Sequence, residues 1–287
     1  MAYKIVSWNI RHFRASKIEN YIATIHSVLG WAEIAFVYED HAGLGAKLAA
    51  AMNAYEAKIT DDPLAKTQYD PKRWVGMSIR VTDEYVTVVW RHAALSVAEN
   101  SGASAAFARI IPGERCPAVV NATKDGKTLT IAGWHAFGPA KVSAQAMFHK
   151  LQTIEGCDVL IGDFNFQAGM TDLRPGTLVL DDAFFALHDD LDFHVPERRG
   201  EFYKPLADAV HRSARLRATL KMQEILPSNY AGSTTFTDEA FGRRKSGLDR
   251  CLIAKGLPAQ LMVGAPNWFD EVFSLTDHVP LMLAVEK

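Results

Sequence analysis

Leu160-Ile161-Gly162-Asp163-Phe164-Asn165 closes an apolar run that starts at Asp158-Val159 and reads as a buried strand. The run stops at a glycine, and an acid and an amide follow two residues apart. Side chains i and i+2 of an extended segment share a side. Asp163 and Asn165 are therefore expected to point together beyond the strand end. A carboxylate offers oxygens to a hard cation, and an amide offers one acceptor and two donors. The pair suits a phosphate held by a metal ion; a plain Asx turn is the structural alternative.

The same layout recurs along the chain. Residues 4–9 read as a strand ending on Asn9, and residues 34–38 as a strand ending on Glu39. His135 follows a strand at 127–134, Asp249 opens one at 250–254, and Asp277-His278 precedes the last at 279–285. Ser16-x-x-Glu19 is a capping-box pattern before a helical spacing at Ile18, Tyr21, Ile22, Ile25, Val28 and Leu29, stopped by Gly30. Residues 45–54 read as a second helix. Residues 75–81 and 85–90 read as strands joined by a tight turn at Thr82-Asp83-Glu84. Strands are expected at 105–111 and 118–123, with Asp125-Gly126 a hairpin signal. Helices follow at 140–155 and 208–226, and a strand at 260–263.

Length and composition set the frame. The 287 residues show no repeat and no linker, so one domain over 1–287 is expected, with a polar, basic insertion around 184–232. The chain is 48% hydrophobic and 22% charged, as in ordinary soluble globular proteins. A net charge of −2 gives no global positive field. Cys116, Cys157 and Cys251 are too few and too scattered for a disulfide framework or a zinc motif, and free buried thiols are expected. No stretch of about 18 apolar residues and no signal-peptide pattern is present, so no transmembrane segment and a cytoplasmic setting are expected, with leaderless secretion as the other route. Many strands with few helices suggest two sheets packed face to face with helices outside.

If the strand ends converge, they form a pocket of carboxylates, amides and two histidines. Phosphodiester hydrolysis needs such a set: a cation to neutralise the phosphate, a base for the water and an acid for the leaving oxygen. Glu39 suits magnesium, with manganese as the alternative, and Asn9, Asp163 and Asp277 are further oxygens. Each histidine then needs an acid to fix its tautomer.

Ser7-Trp8-Asn9, Phe36-Val37-Tyr38-Glu39, Gly133-Trp134-His135, Gly162-Asp163-Phe164-Asn165, Ser246-Gly247-Leu248-Asp249-Arg250 and Ser274-Leu275-Thr276-Asp277-His278-Val279-Pro280 stand in the order of the endonuclease/exonuclease/phosphatase superfamily. The resemblance spans residues 4–285. It implies a four-layered αββα sandwich of two mixed sheets, deoxyribonuclease I-like, with a metal-dependent phosphoesterase site at one end. Within the superfamily the chain looks most like the deoxyribonuclease I and cytolethal distending toxin branch. That branch carries an acid seven residues before an arginine, which falls on Glu84 and Arg91. On this analogy Glu84 orients His135 and Asp249 orients His278. Asn9 and Asn165 bind the phosphate, and Asp163 and Asp277 complete the set. Tyr38 departs from the family's usual glutamine, and Thr276 from its usual serine.

The superfamily's substrates include DNA, RNA, inositol phosphates and other phosphomonoesters, and the fold does not choose among them. Arg11 after Asn9, and Arg244 and Lys245 before Asp249, flank motif residues and suit the backbone of a polyanion. The basic helix carrying His211, Arg212, Arg215, Arg217 and Lys221 is a further candidate surface. DNA cleaved with little sequence preference is the first expectation, by a protein expected to be a monomer. A phosphoinositide phosphatase and a catalytically inactive binding protein are the alternatives. No feature marks an inhibitor or immunity partner.

Overall fold

The structure, a computed structural model, describes residues 2–59, 73–110, 115–137, 151, 154–165, 221–225, 228, 235–236, 244–246, 249–264, 272 and 275–287. In chain order the first elements are β1 (Ala2–Phe13), α1 (Ala15–Leu29), β2 (Ile34–Asp40), α2 (Gly45–Ile59), β3 (Trp74–Val81), β4 (Glu84–Arg91) and β5 (Ser96–Glu99). They are followed by α3 (Ser101–Ile110), β6 (Ala118–Lys124), β7 (Lys127–His135), β8 (Val159–Asp163) and β9 (Met222–Glu224). The chain continues through β10 (Thr235–Phe236), β11 (Arg244–Ser246), β12 (Asp249–Ala254), β13 (Ala259–Val263) and β14 (Leu281–Glu286).

Two six-stranded sheets result, ordered β13-β14-β1-β2-β4-β3 and β5-β6-β7-β8-β12-β9. Each has one parallel pair at its centre, β1–β2 in the first and β7–β8 in the second, flanked by antiparallel strands. This topology decides where chemistry collects. The C-terminal ends of a parallel pair and the N-terminal ends of its antiparallel neighbours share one rim.

Strand parity builds the layers. Tyr3, Ile5, Ile34, Phe36, Val86 and Val88 meet Val120, Ile131, Val159, Ile161, Cys251 and Ile253 in the core between the sheets. The alternate residues Val6, Trp8, Ala35, Val37 and Val89 pack on Ile18, Ile25, Val28 and Leu29 of α1 and Leu48 and Met52 of α2. Val119, Ala132, Trp134, Leu160 and Leu252 form the opposite outer face with Phe107 of α3. Fully burying each large apolar side chain contributes about 1.5–3 kcal/mol. With both faces of both sheets covered, the strands read as near-continuous apolar runs, as expected for buried sheets.

Several sequence expectations change. The expected strand at 105–111 is α3: Asn100 caps it, its side-chain oxygen accepting the Ala103 N–H at 3.0 Å. The Ser16–Glu19 capping box does not form. Arg14 occupies the cap of α1 with no side-chain hydrogen bond, and Glu19 instead pairs with Lys47 on α2 at 2.5 Å. The end of the expected 208–226 helix is β9, paired with β12. Residues 208–220 and 226 of that helix, residues 140–150 and 152–153 of the expected 140–155 helix, and the basic residues 198–217 lie outside the described residues; Ile154, Glu155, Lys221 and Ile225 are described and are not helical. The first hairpin turns at Thr82-Asp83, with Thr82 at φ 52°, so Glu84 belongs to β4. Asp125 (φ 50°) and Gly126 (φ 74°) make the expected hairpin turn. The three cysteines are free, and Cys116 is only partly buried.

Outside the rim, α2 places Glu56 beneath β3, where its Oε1 accepts the Trp74 indole N–H at 2.9 Å and lies 2.9 Å from His26 Nε2. Burial opposes ionisation, but His26, the indole and Arg73 outweigh it and hold the Glu56 carboxyl below its ordinary value. A lowered acid stabilises the fold above its unfolded pKa and loses that contribution as pH falls through the folded one. Denaturant titrations at pH 7 and pH 3 should therefore show a smaller acid-induced loss for Glu56→Gln than for the wild type. Equal losses would show that the cluster contributes nothing to acid sensitivity.

Candidate active site

The core rows between the sheets end in polar residues. Ile5-Ser7-Asn9, Ile131-Gly133-His135 and Val159-Ile161-Asp163 are runs of period two leaving the core at their C-terminal ends, and Glu84-Val86-Val88 and Asp249-Cys251-Ile253 leave it at their N-terminal ends. Parity therefore carries all five polar side chains to one rim, facing one another across the sandwich.

Asp163 is the hub. Its Oδ2 accepts the Asn9 Nδ2 hydrogen bond at 2.9 Å and lies 3.9 Å from His135 Nε2 and 3.7 Å from His278 Nε2. Each histidine turns its other nitrogen to an acid. His135 Nδ1 is 2.7 Å from Glu84 Oε1, and His278 Nδ1 is 2.9 Å from Asp249 Oδ2. A carboxylate at that distance repels a bare ring nitrogen, so both Nδ1 atoms carry the proton and each Nε2 faces the shared centre. Burial works against charge on both rings. The surrounding acids prevail, raising the His135 pKa and lifting that of His278 to about 10. Glu84 is 1% exposed, so a residue in a hairpin-turn sequence pattern is in fact buried against a histidine.

Glu39 is brought in by a bulge. The β1–β2 and β2–β4 registers shift beyond Asn9 and Val37, and Glu39 takes φ 59°. Parity alone would send Glu39 to the helix side; the left-handed residue re-aims it to the rim. Asn9 Nδ2 donates to its Oε1 at 3.1 Å and the His12 N–H to its Oε2 at 2.8 Å. Burial opposes ionisation of Glu39, but these bonds and the His135 charge hold its pKa below the ordinary value. His12, Glu39 and Asn165 account for three of the five non-glycine residues with positive φ among those described. Such strain gathers at functional sites.

The donor set fits a hard divalent cation. The Asn9 Oδ1 and Asp277 Oδ1 atoms are buried without a hydrogen bond from any described residue. The ionised Glu39 is hydrogen-bonded to Asn9, and these oxygens suit magnesium or manganese. Donor atoms of Asp163, Asp249 and His278 also lie within 4.8 Å of one another. There the histidine is already engaged with Asp249, and Glu39 with Asn9 is the better match to oxygen-only ligation.

The last segment is pinned from below. The Thr276 hydroxyl donates to Asn9 O at 2.8 Å, and the Trp8 indole N–H to His278 O at 3.1 Å. Lys17 binds the carbonyls of Arg11 and Leu275. Thr276 thus performs a bond that needs only a hydroxyl. Tyr38 ties the sheets together: its hydroxyl donates to Ile161 O at 2.9 Å and lies 3.0 Å from Ser7 Oγ. Its position in the core row, not the rim, explains why an aromatic residue fits there.

Other expected site residues fall out differently. Asn165 does not share an extended face with Asp163. It takes φ 52°, its N–H donates to Asp163 Oδ1 at 2.8 Å, and its Nδ2 to Ala136 O at 2.8 Å. The Asx turn and the rim position coexist. Arg91 is not at the rim. It ends β4, seven residues from Glu84, so about 23 Å of strand separates them. There it stacks 4.8 Å from the Trp74 ring and its Nε donates to Ala32 O at 3.1 Å. Arg11 is at the rim, half-exposed, 3.7 Å from Asp277 Oδ2. Arg244 and Lys245 lie on β11, and their side chains are outside the described residues.

One rim residue has no counterpart in the sequence expectations. Arg115 precedes β6, the antiparallel neighbour of β7, and its NH1 lies 3.0 Å from His135 Nδ1 and 3.4 Å from Glu84 Oε2. A cation just upstream of a strand flanking the parallel pair is the signal that topology, once known, supplies.

No protein-family model matches the chain, and no curated protein does. Solved structures do. A crystal structure of D. rerio TDP2 complexed with single-strand DNA product is 11% identical with a TM-score of 0.52, covering 100% of this chain and 99% of that one. The endonuclease domain of TRAS1, a telomere-specific non-LTR retrotransposon, is 11% identical with a TM-score of 0.51 over 100% of this chain and 99% of that one. An endonuclease/exonuclease/phosphatase family protein from Leptotrichia buccalis C-1013-b is 11% identical with a TM-score of 0.50 over 99% and 100%. The fold is thus a deoxyribonuclease I-like αββα sandwich. Among the described residues, no helix is long and apolar enough to cross a membrane.

Proposed function

We propose that this protein is a divalent-metal-dependent phosphodiesterase, a DNA endonuclease with little sequence preference. The observation that carries the reading is the pair of histidine–acid couples, Glu84–His135 and Asp249–His278, whose Nε2 atoms converge within 3.9 Å and 3.7 Å of Asp163 Oδ2. Two oriented imidazoles facing one centre suit a displacement in which a proton leaves a water and another reaches the departing oxygen. Asp249 holds the His278 ring with Nε2 facing the centre; with its pKa at about 10 the ring rests protonated near pH 7, and that pKa would fall beside a bound cation so that Nε2 could take the proton of the water. Glu84 holds His135 so that its Nε2–H can meet the leaving oxygen. Asn9 donates into the centre and fixes Asp163. Glu39, with the oxygens of Asn9 and Asp277, would hold the cation, and the chemistry a bound magnesium or manganese ion supplies there is charge neutralisation at the phosphate. The likeness to a DNA-bound TDP2 and to the TRAS1 endonuclease domain favours DNA as the substrate, and the exposed Arg11 at the rim suits a phosphate backbone.

The test is nicking of supercoiled plasmid with magnesium or manganese, beside an EDTA control and Glu39→Gln. Metal-dependent conversion to open circles, abolished by EDTA and shifted to higher metal concentration in the variant, is expected. Intact plasmid with both ions would overturn DNA as substrate, and phosphate release from inositol phosphates and RNA cleavage would be assayed next.

A further inference from the structure

We infer that Arg115, locked in place by Asp83, is a positioning residue for the Glu84–His135 couple; the inference deepens the phosphodiesterase reading and rests on it. Arg115 is a half-buried cation, its side chain 13% exposed, with most of the guanidinium engaged. Nε and NH2 form a two-point grip on Asp83, to Oδ1 at 2.8 Å and Oδ2 at 3.1 Å. The Phe137 ring stacks on the plane at 4.7 Å. Its backbone carbonyl accepts the Trp134 indole N–H at 2.7 Å, fixing the residue to β7. Only NH1 remains, and it points inward.

There it meets Glu84 and His135 together. The Glu84 Oε2 atom is buried and accepts no hydrogen bond from a described residue, and NH1 is its nearest ion-pair partner at 3.4 Å. Because Nδ1 and NH1 approach the two oxygens of one carboxylate, they lie only 3.0 Å apart. The carboxylate is thereby held between the Arg115 guanidinium and the His135 ring. It cannot rotate away from His135 without abandoning Arg115. Planar guanidinium geometry gives this fixity, which a lysine ammonium lacks.

The clamp also spans the sandwich. Asp83 and Glu84 belong to the β3–β4 hairpin of one sheet, while Arg115 lies just before β6 and His135 ends β7 of the other. Arg115 therefore sets the separation of the two rims at the point where His135 must face Asp163. With its fork filled by Asp83, the residue acts through Glu84 rather than by gripping the phosphate of a substrate.

The variants Arg115→Met, Arg115→Lys and Asp83→Asn decide the matter through two readouts. In plasmid nicking, Arg115→Met should lower kcat about 10-fold with KM changed less than about 2-fold, Asp83→Asn should lower kcat by a smaller factor, and Arg115→Lys should recover part of the loss. A rise in KM at unchanged kcat, with Asp83→Asn lowering KM as the fork is freed, would show a phosphate grip and overturn the inference. The second readout needs no activity. The downfield proton NMR resonance of His135 Nδ1–H, identified by its absence in His135→Gln, should shift or vanish in Arg115→Met and move in Asp83→Asn. An unchanged resonance in both would equally overturn it. If the wild type nicks no DNA, the functional reading fails while the resonance still decides the role of Arg115. If Arg115→Met does not fold, Asp83→Asn and Arg115→Lys carry the same test.

Discussion

His278→Asn is expected to slow plasmid nicking by about 10³-fold, within the range for losing a positioned acid–base group. The asparagine is chosen over alanine because its amide N–H can replace Nδ1–H toward Asp249, bonded at 2.9 Å in the wild type. What disappears is the Nε2 atom that faces Asp163 Oδ2 at 3.7 Å. Stability should then change little while kcat collapses, and thermal melting alongside the nicking assay separates the two. His278→Ala should show the same loss of activity and an added loss of stability, since the buried Asp249 then loses its 2.9 Å bond to the His278 ring. Nicking within about 10-fold of wild type in His278→Asn, well short of the expected loss, would remove His278 from the chemistry and leave His135 as the sole imidazole in play.

Much of this site was legible because it obeys strand parity. Glu84, His135, Asp163 and Asp249 each extend an apolar row by one step of two residues, Asn9 does so one step beyond Ser7, and a polar residue at the end of such a row is visible in the sequence. What parity cannot show is which rows meet. The Glu84–His135 bond joins residues 51 positions apart across two sheets, and only the resemblance to a known superfamily suggested it. Glu39 lies off parity and reaches the rim through a left-handed backbone, which no pattern of side chains reveals. Arg91 fails for the opposite reason. Its spacing from Glu84 is odd and long, so within one strand it must fall on the other face and the far end. Helix α3 was misread as a strand because a short apolar run carries no clear period; the cap at Asn100 was the discriminating signal. Arg115 has no row at all. Its importance comes from tertiary neighbours, Asp83 in the β3–β4 turn and Trp134 and Phe137 at the end of β7, that converge from two separate segments.

The second large effect concerns the stretch that starts the site. Gly162→Ala is expected to destabilise the protein by about 4 kcal/mol, combining overpacking with backbone strain. Gly162 pairs with Trp134 in the parallel β7–β8 ladder at φ 154°. A Cβ there would lie 1.9 Å from Trp134 O, 2.8 Å from its carbonyl carbon and 3.0 Å from its nitrogen. These are backbone atoms, so no rotamer change relieves the overlap; a strand must move. β7 resists, because Trp134 is fully buried, bonded through its indole to Arg115 O at 2.7 Å and packed edge-on against Phe164 at 5.0 Å. The next residues along both strands are His135 and Asp163, so any displacement that accommodates the methyl group also pulls these two apart. Activity should fall with stability, even under conditions where the variant remains folded. Gly126→Ala is the control. Its φ of 74° imposes left-handed strain, but an added Cβ meets nothing within 4 Å. It should cost only about 1 kcal/mol and leave nicking intact. Equal losses in urea denaturation for the two variants would show that backbone strain, and not the close approach of Trp134, makes glycine necessary at 162.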